Sequence, residues 1–224
     1  MSREGICASP WSRPLLRREG RAVKRDAVLR AAASLFNEFG YHATSLEMVA
    51  ERLRVTKPTL YYYIQSKEEI LFECVRLGLE LLRSAIARAA ASGGTAVDKL
   101  NAAMQEYAMI VTRDFGMCLI RVGEDPLAAA GRKKLRRLKA EVDHEFRALI
   151  EQGIAEGLLA PCDAKLAAFT LAGALSWIGR WYDPRGPLSA EAVARDSIVL
   201  LMNGLAPRRA ASRSRRPVLA RGAS

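Results

Sequence analysis

The chain has 224 residues, half of them apolar, with 35 Lys or Arg against 24 Asp or Glu and a net charge of +11. That length supports one or two domains with a real core. No apolar run reaches the roughly 20 residues of a membrane span, and no apolar segment follows the basic N-terminus as in a secretory signal; both point to the cytoplasm. Four scattered cysteines without a CxxC pair, and only His42 and His144, argue against a disulfide framework or a metal site, and no cofactor is expected.

The charge is uneven. Residues 1–25 carry seven Lys or Arg and two acids, residues 207–224 carry six Arg and no acid, and the stretch between them balances. Basic arms favour phosphate contact through counterion release, although solubilising disorder explains them as well. Residues 1–20 hold Gly5, Pro10, Pro14 and Gly20 with little periodicity and read as a disordered arm. From Arg21 to Phe39, Val23, Ala27, Val28, Ala31, Leu35 and Phe39 recur at helical steps, and Gly40 stands at the C-cap position. A second helix is expected from about Ser45 to Leu53, with Thr44 or Ser45 as N-cap and a capping box between Thr44 and Glu47.

A third helix opens at Thr56-Lys57-Pro58. The Thr56 hydroxyl can accept from an orphan backbone N–H, and Pro58 fits a first turn that needs no N–H. It is expected to end near Tyr63-Ile64. Two helices joined this tightly form a helix-turn-helix, whose second helix can enter the major groove of double-stranded DNA. Thr44 and Ser45 would offer hydroxyls and N–H groups to a phosphate. Thr56, Lys57 and Thr59 begin the reading helix, Tyr61 and Tyr62 can reach a phosphate or a thymine methyl, and Lys67 can pair with the DNA backbone. Leu46, Val49, Ala50, Leu53, Val55 and Leu60 form the module's small core, which at least one of the three tyrosines should face.

Ser66, three residues before Glu69, starts a long helix marked by Ile70, Leu71, Cys74, Leu77, Leu81, Leu82 and Ile86 and broken by Ser92-Gly93-Gly94. Because it leaves the first module, a boundary is placed near residue 68, giving domains 21–67 and 68–206 and a disordered basic tail 207–224. Further helices are expected over 95–113, 116–122, 127–157, 163–182 and 189–205, the last two separated by the turn Asp183-Pro184-Arg185-Gly186-Pro187. No segment alternates with period two. The fold class is all-α with about nine helices: a three-helix DNA-binding domain containing a helix-turn-helix, then a helical ligand-binding and dimerisation domain.

Several residues taken in order carry a resemblance: Ala31, Leu35 and Phe36, Gly40-Tyr41, Thr44-Ser45, Ala50, Val55-Thr56-Lys57, Leu60-Tyr61 and Ser66-Lys67-Glu68 before Leu71. In these the chain resembles the TetR family of transcriptional regulators, most strongly across residues 21–75. Arg54 departs from the pattern. The family usually places glycine in that turn, where left-handed φ is wanted and Arg is strained by about 1 kcal/mol or more. The resemblance implies a homodimer that binds a palindromic operator, usually as a repressor released by a small effector. The apolar segments 163–182 and 189–205 point to the same dimer, because a helix apolar nearly all round must be buried on both sides.

The stretch Trp177, Arg180, Trp181, Tyr182 and the following DPRGPLS look like TetR members that answer to acyl-CoA thioesters. An apolar channel with an Arg at its mouth suits a ligand with an acyl end and an anionic end. Met109, Phe115 and Met117, with Met104, are further candidate lining, although Met at helical spacing serves plain core as well. The run Gly131 to Lys139 either supplies cations for CoA phosphates or forms a solvated face. An enzyme would need a nucleophile with its base, a metal cluster or a phosphate loop, and none is visible. A multidrug-type sensor of aromatic or cationic compounds, or an architectural DNA-binding protein without effector, are the alternatives.

Overall fold

The computed structural model describes residues 17–204, and the readings made for residues 1–16 and 205–224 lie outside them. The described residues form helices α1 (Arg17–Phe39), α2 (Leu46–Leu53), α3 (Lys57–Tyr61), α4 (Lys67–Ala90), α5 (Ala96–Val111), α6 (Asp114–Arg121), α7 (Ala129–Ala155), α8 (Ala164–Trp181) and α9 (Ala190–Asn203). The described residues are all-α, as expected, with no strand among them.

Short polar side chains set most of the helix starts. Ser45, Ser66, Thr95, Asp163 and Ser189 each accept hydrogen bonds from backbone N–H groups of the turn they open. Three starts differ in detail from expectation. Of the two N-cap candidates Ser45 caps α2, through a 3.2 Å bond from Met48 N, so the box forms between Ser45 and Met48 rather than between Thr44 and Glu47. Thr56 makes no capping bond to α3; its hydroxyl pairs with that of Thr59 at 2.8 Å. Helix α1 begins four residues before Arg21, so residues 17–20 belong to it rather than to a disordered arm.

Helices α1 to α3 form a small module around Val28, Leu35, Phe36, Val49, Leu60 and Ile64, all buried. The ends of the expected α1 stripe, Val23 and Phe39, are exposed instead. Helix α4 leaves this module and becomes the central post of the second domain, packing against α1, α5, α6 and α7. Its buried positions, from Ile70 through Cys74, Val75, Leu79 and Leu82 to Ile86, keep helical spacing over its whole length. The short α6 crosses between α1, α4 and α8. A Cβ at Gly78 would stand 2.7 Å from the Phe115 carbonyl, and one at Gly179 would stand 2.9 Å from that of Val111. Only glycine lets the backbones approach this closely at both positions.

Candidate functional site: nucleic-acid interface and ligand cavity

Helix α3 is seated by Leu60, which is fully buried and flanked by the half-buried, core-packed Val55 and Tyr63. Truncating such a leucine removes about 2–5 kcal/mol of stability. The helix is shorter than expected: the N–H groups of Tyr63 and Ile64 both donate to the Leu60 carbonyl, at 2.8 and 3.1 Å, and turn the chain before the third tyrosine. Tyr61 and Tyr62 are exposed, at 49% and 65%, and Tyr63 is the one that turns inward.

Arg54 sits at φ 56°, ψ 44°, the left-handed conformation that favours glycine. Its N–H bonds the Glu51 carbonyl and that of Val55 bonds the Ala50 carbonyl, both at 3.0 Å. This is the Schellman pairing that closes a helix end. The left-handed turn forms with an arginine where glycine is expected.

The other expected DNA contacts divide in two. Lys57, Thr59, Tyr61 and Tyr62 stand on α3 and its exit, with Thr56 and Ser45 beside them. Lys57 is not a free cation: its ammonium pairs with Glu47 on α2, which holds the Glu47 carboxyl below, and the Lys57 amine above, its ordinary range. Thr44 and Lys67, in contrast, face inward. The Thr44 side chain is buried and its hydroxyl donates to the Gly40 and Leu35 carbonyls, so it has no proton to give a phosphate. Lys67 donates to the Thr44 carbonyl at 2.7 Å and lies over the Tyr41 ring at 4.4 Å, and burial lowers its pKa. It clamps the α1–α2 connection. Arg21, which sequence reasoning passed over, lies over the Tyr62 ring at 5.2 Å and brings the start of α1 to the end of α3. Periodicity within α1 gives no signal for that contact.

The second domain contains a cavity of about 500 Å³ among α4 to α8. Leu79, Leu82, Leu119, Ile120, Val142, Phe146, Ala168 and Phe169 make it mainly apolar. Trp177, Arg180 and, at the end of the basic run, Lys139 also line it. Lys139 reaches Glu124 at 3.1 Å and Arg180 donates to the Arg121 carbonyl at 3.2 Å, so both cations gather where the chain passes from α6 to α7. Within the run, Arg136 also pairs with Glu124, while Lys133 and Lys134 are exposed. Asp143, the cavity's carboxylate, is held by Arg147 at 2.6 Å.

The remaining expected lining lies elsewhere. Phe115, Met117 and Trp181 border a separate cleft of about 1080 Å³ that also touches Arg30 and Asn37 of α1. Met109 lines neither space, and Met104 is fully buried core. Trp177 and Trp181 are one turn apart on α8 yet border different spaces. Among the described residues no cluster of His, Cys, Asp or Glu is arranged to hold a metal ion, and no helix is long and apolar enough to cross a membrane.

Residues 28–74 match the family model described as bacterial regulatory proteins of the tetR family, and residues 93–205 match a tetracyclin repressor-like C-terminal domain. The transcriptional repressor KstR2 of Mycolicibacterium smegmatis is 25% identical over 82% of this chain and 91% of its own. The crystal structure of PfmR, a TetR regulator of Thermus thermophilus, superposes with a TM-score of 0.74 at 32% identity over 80% of this chain and 99% of that one. AibR, crystallised with isovaleryl coenzyme A and operator DNA, gives 0.71 at 28% identity over 80% and 98%. A reading module around Leu60, a long connecting helix and a helical second domain with its own cavity, matched by family models at both ends, place this chain in the TetR family of bacterial transcriptional regulators.

Proposed function

We propose that the protein is a dimeric repressor that binds a palindromic operator through α3 and is released by an acyl-CoA thioester held in the second-domain cavity. The observation that carries the effector class is the cavity's polarity: Lys139 and Arg180 gather at one end of a mainly apolar space. An anionic carrier at the cations and a hydrocarbon in the interior match that order. The complex of the related AibR with isovaleryl coenzyme A supports the same class. A cationic drug would need a free carboxylate inside, and Asp143 is already paired with Arg147.

Dimerisation is supported by the outer face of α8 and α9. Leu166, Phe169, Trp177 and Trp181 on α8 and Val199 on α9 are all at least half exposed. Five large apolar side chains on one helix pair make a patch that water penalises, and a two-fold axis would bury it as a four-helix bundle. That bundle would hold two copies of α3 about one DNA turn apart. The effector then acts by population shift, favouring the dimer whose reading helices no longer match adjacent grooves, with α4 as the lever between domains.

Direct binding tests the effector class. Titration of the dimer with acyl-CoA thioesters of graded chain length should give saturable one-per-protomer binding, weakened roughly tenfold or more by Lys139→Ala with Arg180→Ala. Absence of binding across the whole series would remove this reading.

A further inference from the structure

We infer that the hydroxyl pair of Tyr107 and Ser176 reads the carbonyl oxygen of the bound acyl group, so that the cavity recognises an acyl ester rather than any chain attached to an anionic carrier. This rests on the acyl-thioester reading and adds the residues that give the site its chemical selectivity.

Tyr107 on α5 and Ser176 on α8 both line the cavity and meet at its wall, with their hydroxyl oxygens 2.8 Å apart. Two hydroxyls bring two protons, and the bond between them uses one. Whichever oxygen donates, one O–H remains, and neither side chain has another hydrogen bond among the described residues. Burial pushes the Tyr107 phenol above the ordinary tyrosine range, which keeps its proton in place. The pair therefore presents one donor in an apolar chamber, and a ligand with one acceptor at that depth satisfies it.

Position agrees with that stoichiometry. Ser176 lies four residues before Arg180, about 6 Å of helix rise, and Ala168 lies eight residues further in, about 12 Å. Along α8 the lining runs from Arg180 through Ser176 to Ala172 and Ala168, and Phe146 packs beside Tyr107 with ring centroids 6.2 Å apart. An acyl thioester presents the same order: anionic carrier, carbonyl, hydrocarbon chain. Lys139 and Arg180 cannot make the distinction, because any coenzyme A conjugate carries the same phosphates.

The test compares an acyl-CoA thioester with the S-alkyl-CoA thioether of equal chain length, in which CH₂ replaces C=O. Burying the donor without its acceptor should weaken the thioether roughly ten- to hundredfold on the unaltered protein. Either single change leaves one hydroxyl able to donate, so the informative variant is Tyr107→Phe with Ser176→Ala. That variant should bind thioester and thioether within about threefold of each other, with ligand-free operator binding and helix content unchanged as the folding control. Equal binding of both ligands to the unaltered protein, or a preference that survives in the double variant, overturns the inference while leaving the acyl-CoA reading intact. Failure of both ligands to bind the unaltered protein overturns the two together.

Discussion

The guanidinium of Arg121 donates to the Asn37 carbonyl at 3.2 Å and thereby joins the second domain to the last turn of α1. The same group donates to Gly179 and Tyr182 carbonyls at 2.8 and 3.1 Å, at the end of α8. One side chain thus satisfies orphan carbonyls of two helices, one from each domain. Asn37 returns a bond to the Asp114 carbonyl at 3.0 Å, so the junction is held from both sides. Arg121 directly follows Ile120, which lines the cavity. A shift of α6 around a ligand would therefore pull on α1 as well as on α4.

Arg121→Met keeps the aliphatic stem and removes all three bonds. The expected result is a loss of about 1–3 kcal/mol in stability and a smaller change in operator affinity on adding effector. Thermal melting and operator titration measure the two. Full effector response in the variant would confine signalling to α4.

Lys67→Met distinguishes a clamp from a DNA contact. Because Lys67 holds the Thr44 carbonyl and caps the Tyr41 ring, the free protein should lose about 1–2 kcal/mol. A lysine serving DNA alone would leave the melting temperature unchanged.

Arg54→Gly should gain about 1 kcal/mol in chemical denaturation, since Arg54 is the single non-glycine residue with positive φ among the described residues. The backbone bonds of the turn involve no Arg54 side-chain atom, so glycine keeps them. An unchanged or lower midpoint would mean that the left-handed turn is not strained here.

Lys57 reaches a phosphate or a base only by leaving Glu47. Glu47→Gln should therefore raise operator affinity, roughly two- to fivefold, by removing a competing surface ion pair. The pH dependence follows the same exchange. The Glu47 carboxyl is held below its ordinary range by Lys57, so the pair is complete above that range and is lost as pH falls through the lowered value. Weaker operator binding by the Gln variant would show that Glu47 itself serves the interface.

Much of this was legible from local spacing. Period located the helices of the described residues, and the core of the reading module is legible in Leu46, Val49, Ala50, Leu53, Val55 and Leu60, three of which are buried and three half-buried against that core. Tertiary contacts decided the rest. Thr44 and Ser45 are chemically interchangeable as caps, and only the packing of Thr44 against the end of α1 turns its hydroxyl inward. Trp177 and Trp181 share an exposed face of α8, and only the packing around each end of it shows that they border different spaces. Tyr107 and Ser176 lie 69 residues apart, and nothing in the neighbourhood of either announces the other.

Effector release is tested most directly by operator affinity measured with and without saturating acyl-CoA thioester, alongside coenzyme A alone. Affinity should fall at least tenfold with the thioester, stay unchanged with coenzyme A alone, and lose the thioester effect in Lys139→Ala with Arg180→Ala. Operator affinity that stays the same across a broad thioester series would contradict release by an acyl-CoA ligand.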